Sequence, residues 1–319
     1  MTPIRSVLAL AALVCLAAAP VFAKGLAVKK ATIAEKTDAY EVTVEYPETG
    51  IAAIDKDLAA WAKSTAGDFV AEAKTDHQAD ENAYFLDVTY EVARNDGDVF
   101  AVMFTEDVDT GGAHPNQEFE TMNYLMPDGW RVYLPELFER KALAKLSAMV
   151  TKNLIDTIAT GADTLSDPDT IKEGAGPDWD NFRDFILQPK KLVIHFPPYQ
   201  VAAYAAGPQV SELPLGPLKD LMRKDVRAPA PSFDCAAAAT RVEKLICSDV
   251  ALSRLDRDVS EAYALDLRDA ENDQQRADLK QKEQVWLGQR DASCAGPDAL
   301  LCMTGGYQTR LAELKKFPG

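Results

Sequence analysis

Asp225-Val-Arg-Ala-Pro-Ala-Pro-Ser232 interleaves proline with alanine and shows no hydrophobic period, the composition of a connecting segment rather than of a helix or strand. The chain changes character across it. On the C-terminal side apolar residues recur at spacings of three and four, as in Leu252, Leu255, Val259, Ala262 and Tyr263. That period predicts helices over 240–247, 249–269, 272–293 and 300–316. The turn at Ala270-Glu-Asn-Asp273 is short, so the two long helices should return on each other as an antiparallel hairpin. Trp286, with Leu279, Val285 and Leu287, reads as the facing half of that hairpin's core rather than as a ligand stack.

On the N-terminal side the period switches between two and 3.6. Alternation over 38–47 predicts a strand stopped by Pro47, and apolar residues from Ile51 to Lys74 predict a helix. Runs at 84–93 and 98–105 meet at Asn95-Asp96-Gly97, and runs at 121–125 and 130–134 meet at Pro127-Asp128-Gly129; both read as hairpins. A helix over 135–160, a Gly/Asp/Pro-rich loop over 160–178, strands over 182–187 and 191–196, and a short strand or helical turn over 214–222 complete the unit. The expected fold is therefore an α+β domain of hairpins and two long helices over 24–224, the connecting segment 225–231, and a small all-α helical-hairpin domain over 232–319.

The 319 residues include 50 Asp+Glu against 34 Lys+Arg, a net charge of −16. Nearly all of that acidity is N-terminal: residues 24–231 carry 35 acidic and 21 basic side chains, residues 232–319 carry 15 and 12. Such a balance repels nucleic-acid phosphates and suits either a solvated surface or a docking face for a cationic partner. The first residues resemble a cleaved signal peptide, with Arg5, an apolar run over 7–19 and small residues up to Ala23. The run is too short to span a membrane, and Cys15 within it follows Val14, where a lipidation signal requires a small residue. A periplasmic or secreted location follows, with residues 1–23 removed. Four cysteines then remain, all between Cys235 and Cys302. Three connectivities are open to them, and local pairing, Cys235 with Cys247 and Cys294 with Cys302, closes two small loops without distorting the long hairpin.

No catalytic constellation stands out. The three histidines, His77, His114 and His195, are isolated from one another and from cysteine pairs, so zinc-type spacing is absent. There is no Gly-x-Ser-x-Gly elbow and no Gly-x-x-x-x-Gly-Lys loop. Asp107-Val-Asp109-Thr-Gly111-Gly112 with Glu118 imitates a calcium loop, but Gly111 occupies the fifth ligand position and Pro115 the ninth. A Gly-Gly turn between strands is expected there, with no required metal or cofactor and no enzymatic activity. Glu243 and Asp256 are read as capping or ion-pairing residues near helix starts.

Residues 232–319 resemble the LprI-type lysozyme inhibitor family. The likeness rests on Ser232-Phe-Asp-Cys235, Val242-Glu243-Lys-Leu-Ile-Cys247, Leu252-Ser-Arg-Leu-Asp256, Gln284-Val-Trp286-Leu, Arg290-Asp-Ala-Ser-Cys294, Cys302 and Tyr307. The resemblance implies a small helical envelope domain, some members of which inhibit lysozyme. Residues 30–222 resemble the extracytoplasmic domain of RsiV-type anti-sigma factors, also found in PdaC-type peptidoglycan deacetylases. That likeness rests on Thr110-Gly111-Gly112-Ala-His114-Pro-Asn116, Asn123, Leu134-Pro-Glu-Leu-Phe138 and Phe196-Pro-Pro-Tyr199 through Tyr204-Ala-Ala-Gly207. In the RsiV type this domain senses lysozyme, while His114 and Tyr204 are equally readable as turn and core positions. Together the resemblances imply a non-catalytic binder of a cationic lysozyme or other muramidase, with an envelope scaffold lacking inhibitory activity as the alternative.

Overall fold

In the computed structural model, residues 25–78, 82–159, 166–270, 272–296 and 298–314 are described; the expected signal peptide and Cys15 lie outside them. β1 (Lys29–Lys36) and β2 (Tyr40–Glu48) pair antiparallel, α1 (Ala52–Asp76) crosses over, and β3 (Tyr84–Asn95) returns parallel to β2. β4 (Val99–Asp109), β5 (Asn116–Leu125) and β6 (Trp130–Val132) continue the sheet as an antiparallel meander. The Asn95-Asp96-Gly97 turn forms as expected, its Asp96 carboxylate accepting the Asp98 and Val99 N–H groups at 2.9 Å each.

Strand alternation decides which faces are covered. Phe100, Val102 and Phe104 of β4 and Met122 and Tyr124 of β5 face α1, which presents Ile54, Leu58, Ala62 and Phe69 at helical spacing. Each buried Val, Leu, Ile, Phe or Met side chain among them contributes about 1.5–3 kcal/mol. Ile51 offers α1 no side-chain cap; Asp55 reaches back instead to accept from Thr49 N, Thr49 Oγ1 and Gly50 N at 2.6, 2.8 and 2.9 Å. The intervening residues Val99 and Ala101 face the other way, onto a second core.

That second core lies under α2 (Leu134–Leu137), α3 (Leu143–Ile158), α4 (Pro168–Gly174) and a three-stranded antiparallel sheet of β7 (Phe185–Leu187), β8 (Lys191–Phe196) and β9 (Gln209–Pro214). Thr121 and Asn123 join the two sheets: Asn123 donates to Phe185 O at 2.7 Å and accepts from Leu187 N at 2.9 Å, and Thr121 Oγ1 accepts from Phe185 N at 2.8 Å.

Several expectations need correction here. β2 runs through Pro47, because β3 pairs with it only as far as Val44 and no ladder on that side needs the missing N–H. The helix expected over 135–160 is broken: Phe138 turns extended and bridges to Met222, and Arg223 N donates to Leu137 O at 2.9 Å, so α3 starts only at Leu143. The expected loop contains α4, whose N-cap Asp167 accepts from Asp169 N and Thr170 N.

The C-terminal region is all helical, with α5 (Arg241–Ser248), α6 (Val250–Asp269), α7 (Asp273–Ser293) and α8 (Ala299–Leu314). Disulfides join Cys235 to Cys247 and Cys294 to Cys302, with Cα atoms 5.7 and 5.5 Å apart, as local pairing predicts. The hairpin's core, however, is not shared between α6 and α7 as expected. Leu252 and Val259 of α6 meet Met303, Tyr307 and Leu314 of α8, with Ile246 of α5 closing the end. α7 contributes part of Trp286 to this core; its Leu279 is buried apart from it, while Val285 and Leu287 are 51% and 37% exposed. A buried Arg310–Glu283 pair at 2.8 Å ties α7 to α8. Among the described residues no helix is long and apolar enough to cross a membrane.

Candidate functional site

The N-terminal motif residues converge from two turns. The β4–β5 hairpin turns at Gly111, which has a φ of 85°, donates its N–H to Asp109 Oδ1 at 2.9 Å and lies so close to Tyr84 that a Cβ would sit 3.1 Å from that ring. Only glycine meets both demands. Gly112 is exposed in the same turn, and Asn116 opens β5 opposite Val108. The turn carries His114. After β8, Pro197-Pro198-Tyr199 reverses the chain, Tyr204 sits in a 3-10 turn and Gly207, at a φ of 66°, ends it.

The two turns bring His114, Tyr199 and Tyr204 into one stack. His114 lies 3.9 Å from Tyr204 and 6.3 Å from Tyr199 between ring centroids, and the two tyrosines are 5.5 Å apart. Tyr204 donates to Pro115 O at 2.9 Å. His114 Nδ1 is 3.0 Å from the same carbonyl, which can only accept. Nδ1 therefore carries hydrogen, and in the neutral ring Nε2 accepts from the Tyr199 hydroxyl 3.1 Å away. Tyr199 itself has a φ of 73° and is 60% exposed. Its loop is pinned from below: Gln200 Nε2 donates to Gly174 O and Asn181 O at 2.9 and 3.0 Å, and Ser166 donates to Val201 O. Tyr204 is thus a half-buried surface residue rather than a core one.

The C-terminal motif residues form an internal network instead. Glu243 completes a capping box with Thr240, accepting from Ala239 N and Thr240 N at 2.7 and 2.8 Å. Asp256, buried on α6, accepts from Ser232 N and Oγ at 2.8 and 2.7 Å and from the Tyr307 hydroxyl. Arg290 donates to that hydroxyl and lies 5.4 Å from both the Trp286 and Tyr307 rings. Burial, with the Asp256 carboxylate beside it, pushes the Tyr307 phenol well up. These residues fasten the start of the region to α6 and α8.

A third cluster was not legible in the sequence. Arg254 of α6 donates Nε and Nη2 to the two oxygens of Glu136 at 2.8 and 3.2 Å, and Nη2 also donates to Arg131 O at 2.7 Å. Its guanidinium lies 4.6 Å from the Trp130 ring and 5.2 Å from that of Tyr133. Glu136 is 1% exposed. The segment between the regions packs down beside this contact: Arg223 donates to Pro229 O at 2.9 Å, Arg227 pairs with Asp128 at 2.8 Å and Ala230 is buried.

The calcium-like stretch from Asp107 to Glu118 is the β4–β5 hairpin, and among the described residues no group of three or more His, Cys, Asp or Glu side chains is placed to hold a metal ion. His195 is half-buried edge-on to Phe119, 5.9 Å away, and this burial lowers its pKa.

Comparison with known proteins matches two separate stretches of the chain. Residues 132–216 match the family described as a protein of unknown function, DUF3298, and residues 235–314 match that described as lysozyme inhibitor LprI. The chain is 26% identical over 200 residues to the peptidoglycan-N-acetylmuramic acid deacetylase PdaC of Bacillus subtilis, covering 62% of this chain and 42% of that protein. It is 36% identical over 83 residues to the lipoprotein LprI of Mycobacterium tuberculosis, covering 26% of this chain and 40% of that one. The chain therefore spans about two fifths of the length of these relatives. A solved DUF3298-family protein of Pseudomonas aeruginosa is 13% identical, with a TM-score of 0.45 over 64% of this chain and 97% of its own. One from Bacteroides fragilis is 14% identical, with a TM-score of 0.44 over 63% and 96%.

Proposed function

We propose that the chain is an exported, non-catalytic protein of the bacterial envelope that binds, and thereby inhibits, a basic lysozyme-type muramidase, with the His114–Tyr199–Tyr204 platform as its contact surface. The observation that carries this reading is Tyr199, a non-glycine aromatic residue at a φ of 73° that is 60% exposed. Such a backbone costs about 1–3 kcal/mol and persists only where its surroundings over-determine it. The strain gains no burial for the ring; it presents an aromatic side chain to a partner, and rigid aromatic anchors dominate protein interfaces. The similarity of residues 235–314 to the lysozyme inhibitor LprI supports a lysozyme as the class of partner, and the RsiV-type resemblance of the platform motif points the same way. The net charge of −14 over residues 24–231 complements a basic enzyme and would steer its approach. The apolar leader and two disulfides support export.

The test adds the oxidised chain without its leader to a lysis assay on peptidoglycan. Lysis should slow, and the association rate should fall with salt while dissociation changes less. Tyr199→Ala should weaken binding by roughly 30-fold, the effect of losing about 2 kcal/mol at a hot spot. An intact chain that neither binds nor slows lysozymes of several structural classes at micromolar concentration defeats the reading.

A further inference from the structure

We propose that the cleft between the sheet region and the helical region is a second binding site, taking a neutral N-acetylated sugar, a pyranose ring that carries hydroxyl and acetamido groups. The site is separate from the aromatic platform and stands whether or not a muramidase binds there.

The cleft encloses about 940 Å³, within the range of small-ligand sites and in the position between two units where such sites concentrate. Its apolar walls come from both regions: Phe138 and Trp179 from the sheet side, Phe233 and Ala264 from the helical one. Trp179 and Phe233 are only half-buried, which leaves ring surface for a ligand. A pyranose offers apolar C–H faces to such rings and keeps its polar groups around its edge.

Both signs of charge line the cleft, Glu261 and Asp178 against Arg257 and Lys224, so no excess charge selects an ion. What the cleft presents is an ion pair held open. Arg257 is 4% exposed, yet its Nε stands 3.9 Å from Glu261 Oε1, its Nη2 3.6 Å from Asp258 Oδ1 and its Nη1 3.8 Å from Glu136 Oε1, all beyond hydrogen-bond reach. Nη1 donates only to Ala230 O, at 3.4 Å, and the buried Nη2 has no hydrogen-bond partner. Three carboxylates already neutralise this guanidinium and would repel an anion; it is short of acceptors, not of countercharge. A neutral group that accepts and donates at once completes the pair: a hydroxyl oxygen about 2.9 Å from Nε and about 2.7 Å from Oε1 fits across the 3.9 Å gap. The donors still unused call for an uncharged acceptor beside those carboxylates, which an acetamido carbonyl supplies. Hydroxyl, acetamido carbonyl and apolar ring face together describe an N-acetylated sugar.

The test titrates the full oxidised chain, without its leader, by calorimetry and by Trp fluorescence. The ligands are triacetylchitotriose, cellotriose, which has hydroxyls in place of the acetamido groups, and deacetylated chitotriose, which has basic amines there. Triacetylchitotriose should bind at least about tenfold more tightly than either, the worth of one hydrogen bond to a charged donor. Its affinity should hold between about 0.05 and 0.5 M salt, because no net charge enters the cleft. Glu261→Ala should weaken it about tenfold by removing one side of the bridge, with a melting temperature near the parent's to show that the variant folds. Trp179→Phe should keep the binding and lose the fluorescence change, since Trp179 is the tryptophan lining the cleft. Tyr199→Ala should leave sugar binding unchanged, whatever it does to muramidase binding. No binding at millimolar triacetylchitotriose, equal or tighter binding of cellotriose or of the amine, an affinity that falls with salt, loss of the sugar in Tyr199→Ala, or a folded Glu261→Ala that binds like the parent would each overturn the assignment.

Discussion

Replacing Arg254 by alanine should uncouple the helical region from the sheet region. The guanidinium supplies three hydrogen bonds, at 2.8 and 3.2 Å to Glu136 and 2.7 Å to Arg131 O, and it covers two aromatic rings. Its loss leaves the Glu136 carboxylate, 1% exposed, without its fork. Breaking one half of a buried pair costs about 3–5 kcal/mol. Arg257 Nη1, 3.8 Å from the same carboxylate, offsets part of this, so the expected loss is at the lower end, about 3 kcal/mol. Lysine at this position keeps the charge but cannot span two carboxylate oxygens and a carbonyl, and should lose about half as much. Removing both partners, as Arg254→Met with Glu136→Gln, should recover much of the stability, because no buried charge is then stranded. The assay is urea unfolding followed by near-UV signals from Trp130, together with limited trypsin cleavage at Arg223, Lys224 and Arg227. The parent should unfold in one transition with this segment protected; the alanine variant should show two transitions and rapid cleavage. An alanine variant within about 1 kcal/mol of the parent and cleaved no faster would refute the reasoning.

Glu106 gives a pH signature: burial, with Glu120 and Glu118 adding repulsion, pushes it from 4.5 up to about 7. The folded state then holds a proton that the unfolded chain releases, so stability should fall as pH rises from about 4.5 to about 7 and level off above; thermal melts of Glu106→Gln should be flatter, with a gain on the order of 1 kcal/mol at pH 8 and none at pH 4. Tyr199→Gly should leave the fold as stable as the parent or more so, by up to about 1 kcal/mol from relief of the positive φ, while weakening lysozyme binding as alanine does; a large drop in denaturation midpoint would show the ring to be structural. Serine at both Cys235 and Cys247 should lower stability by about 2–4 kcal/mol, and a peptide map of the parent should recover 235–247 and 294–302 cross-links. Chelator treatment should leave the melting temperature unchanged, whereas a drop reversed by Ca²⁺ and absent in Asp109→Ala would make the Gly111 turn a cation site.

Local rules carried the sequence reading wherever one element obeys one period. α1, α6 and the Asn95-Asp96-Gly97 hairpin follow directly from spacing and turn chemistry, and the short cysteine loops left local pairing as the undistorted choice. β1 was missed because it is a sheet edge: KKATIAEK keeps mainly Ile33 toward the core and exposes charge elsewhere, so no alternation of hydrophobicity marks it. α4 did leave a signal, Asp167 followed by Pro168, the usual cap and first-turn pair. Val285 and Leu287 were assigned to a core because spacing cannot say which of two later helices α6 will choose. Arg254 and Glu136 stand 118 residues apart, and His114 and Tyr199 stand 85 apart; contacts at that distance follow from topology, which periodicity does not encode. For the same reason composition marks the Pro/Ala segment only as a connection, whereas Arg223 and Arg227 fasten it in place.

Both disulfides close very short stretches, with sequence separations of 12 and 8. A chain threading N-terminus first into an oxidising compartment would expose Cys235 and Cys247 together while Cys294 was still on the far side. The first bond could then form beside no later cysteine, and once a cleaved leader had carried Cys15 away, no other thiol of the chain would remain to compete as Cys294 and Cys302 emerged. In such a passage the order of arrival would do the proofreading, and correct pairing would need little help from a disulfide isomerase.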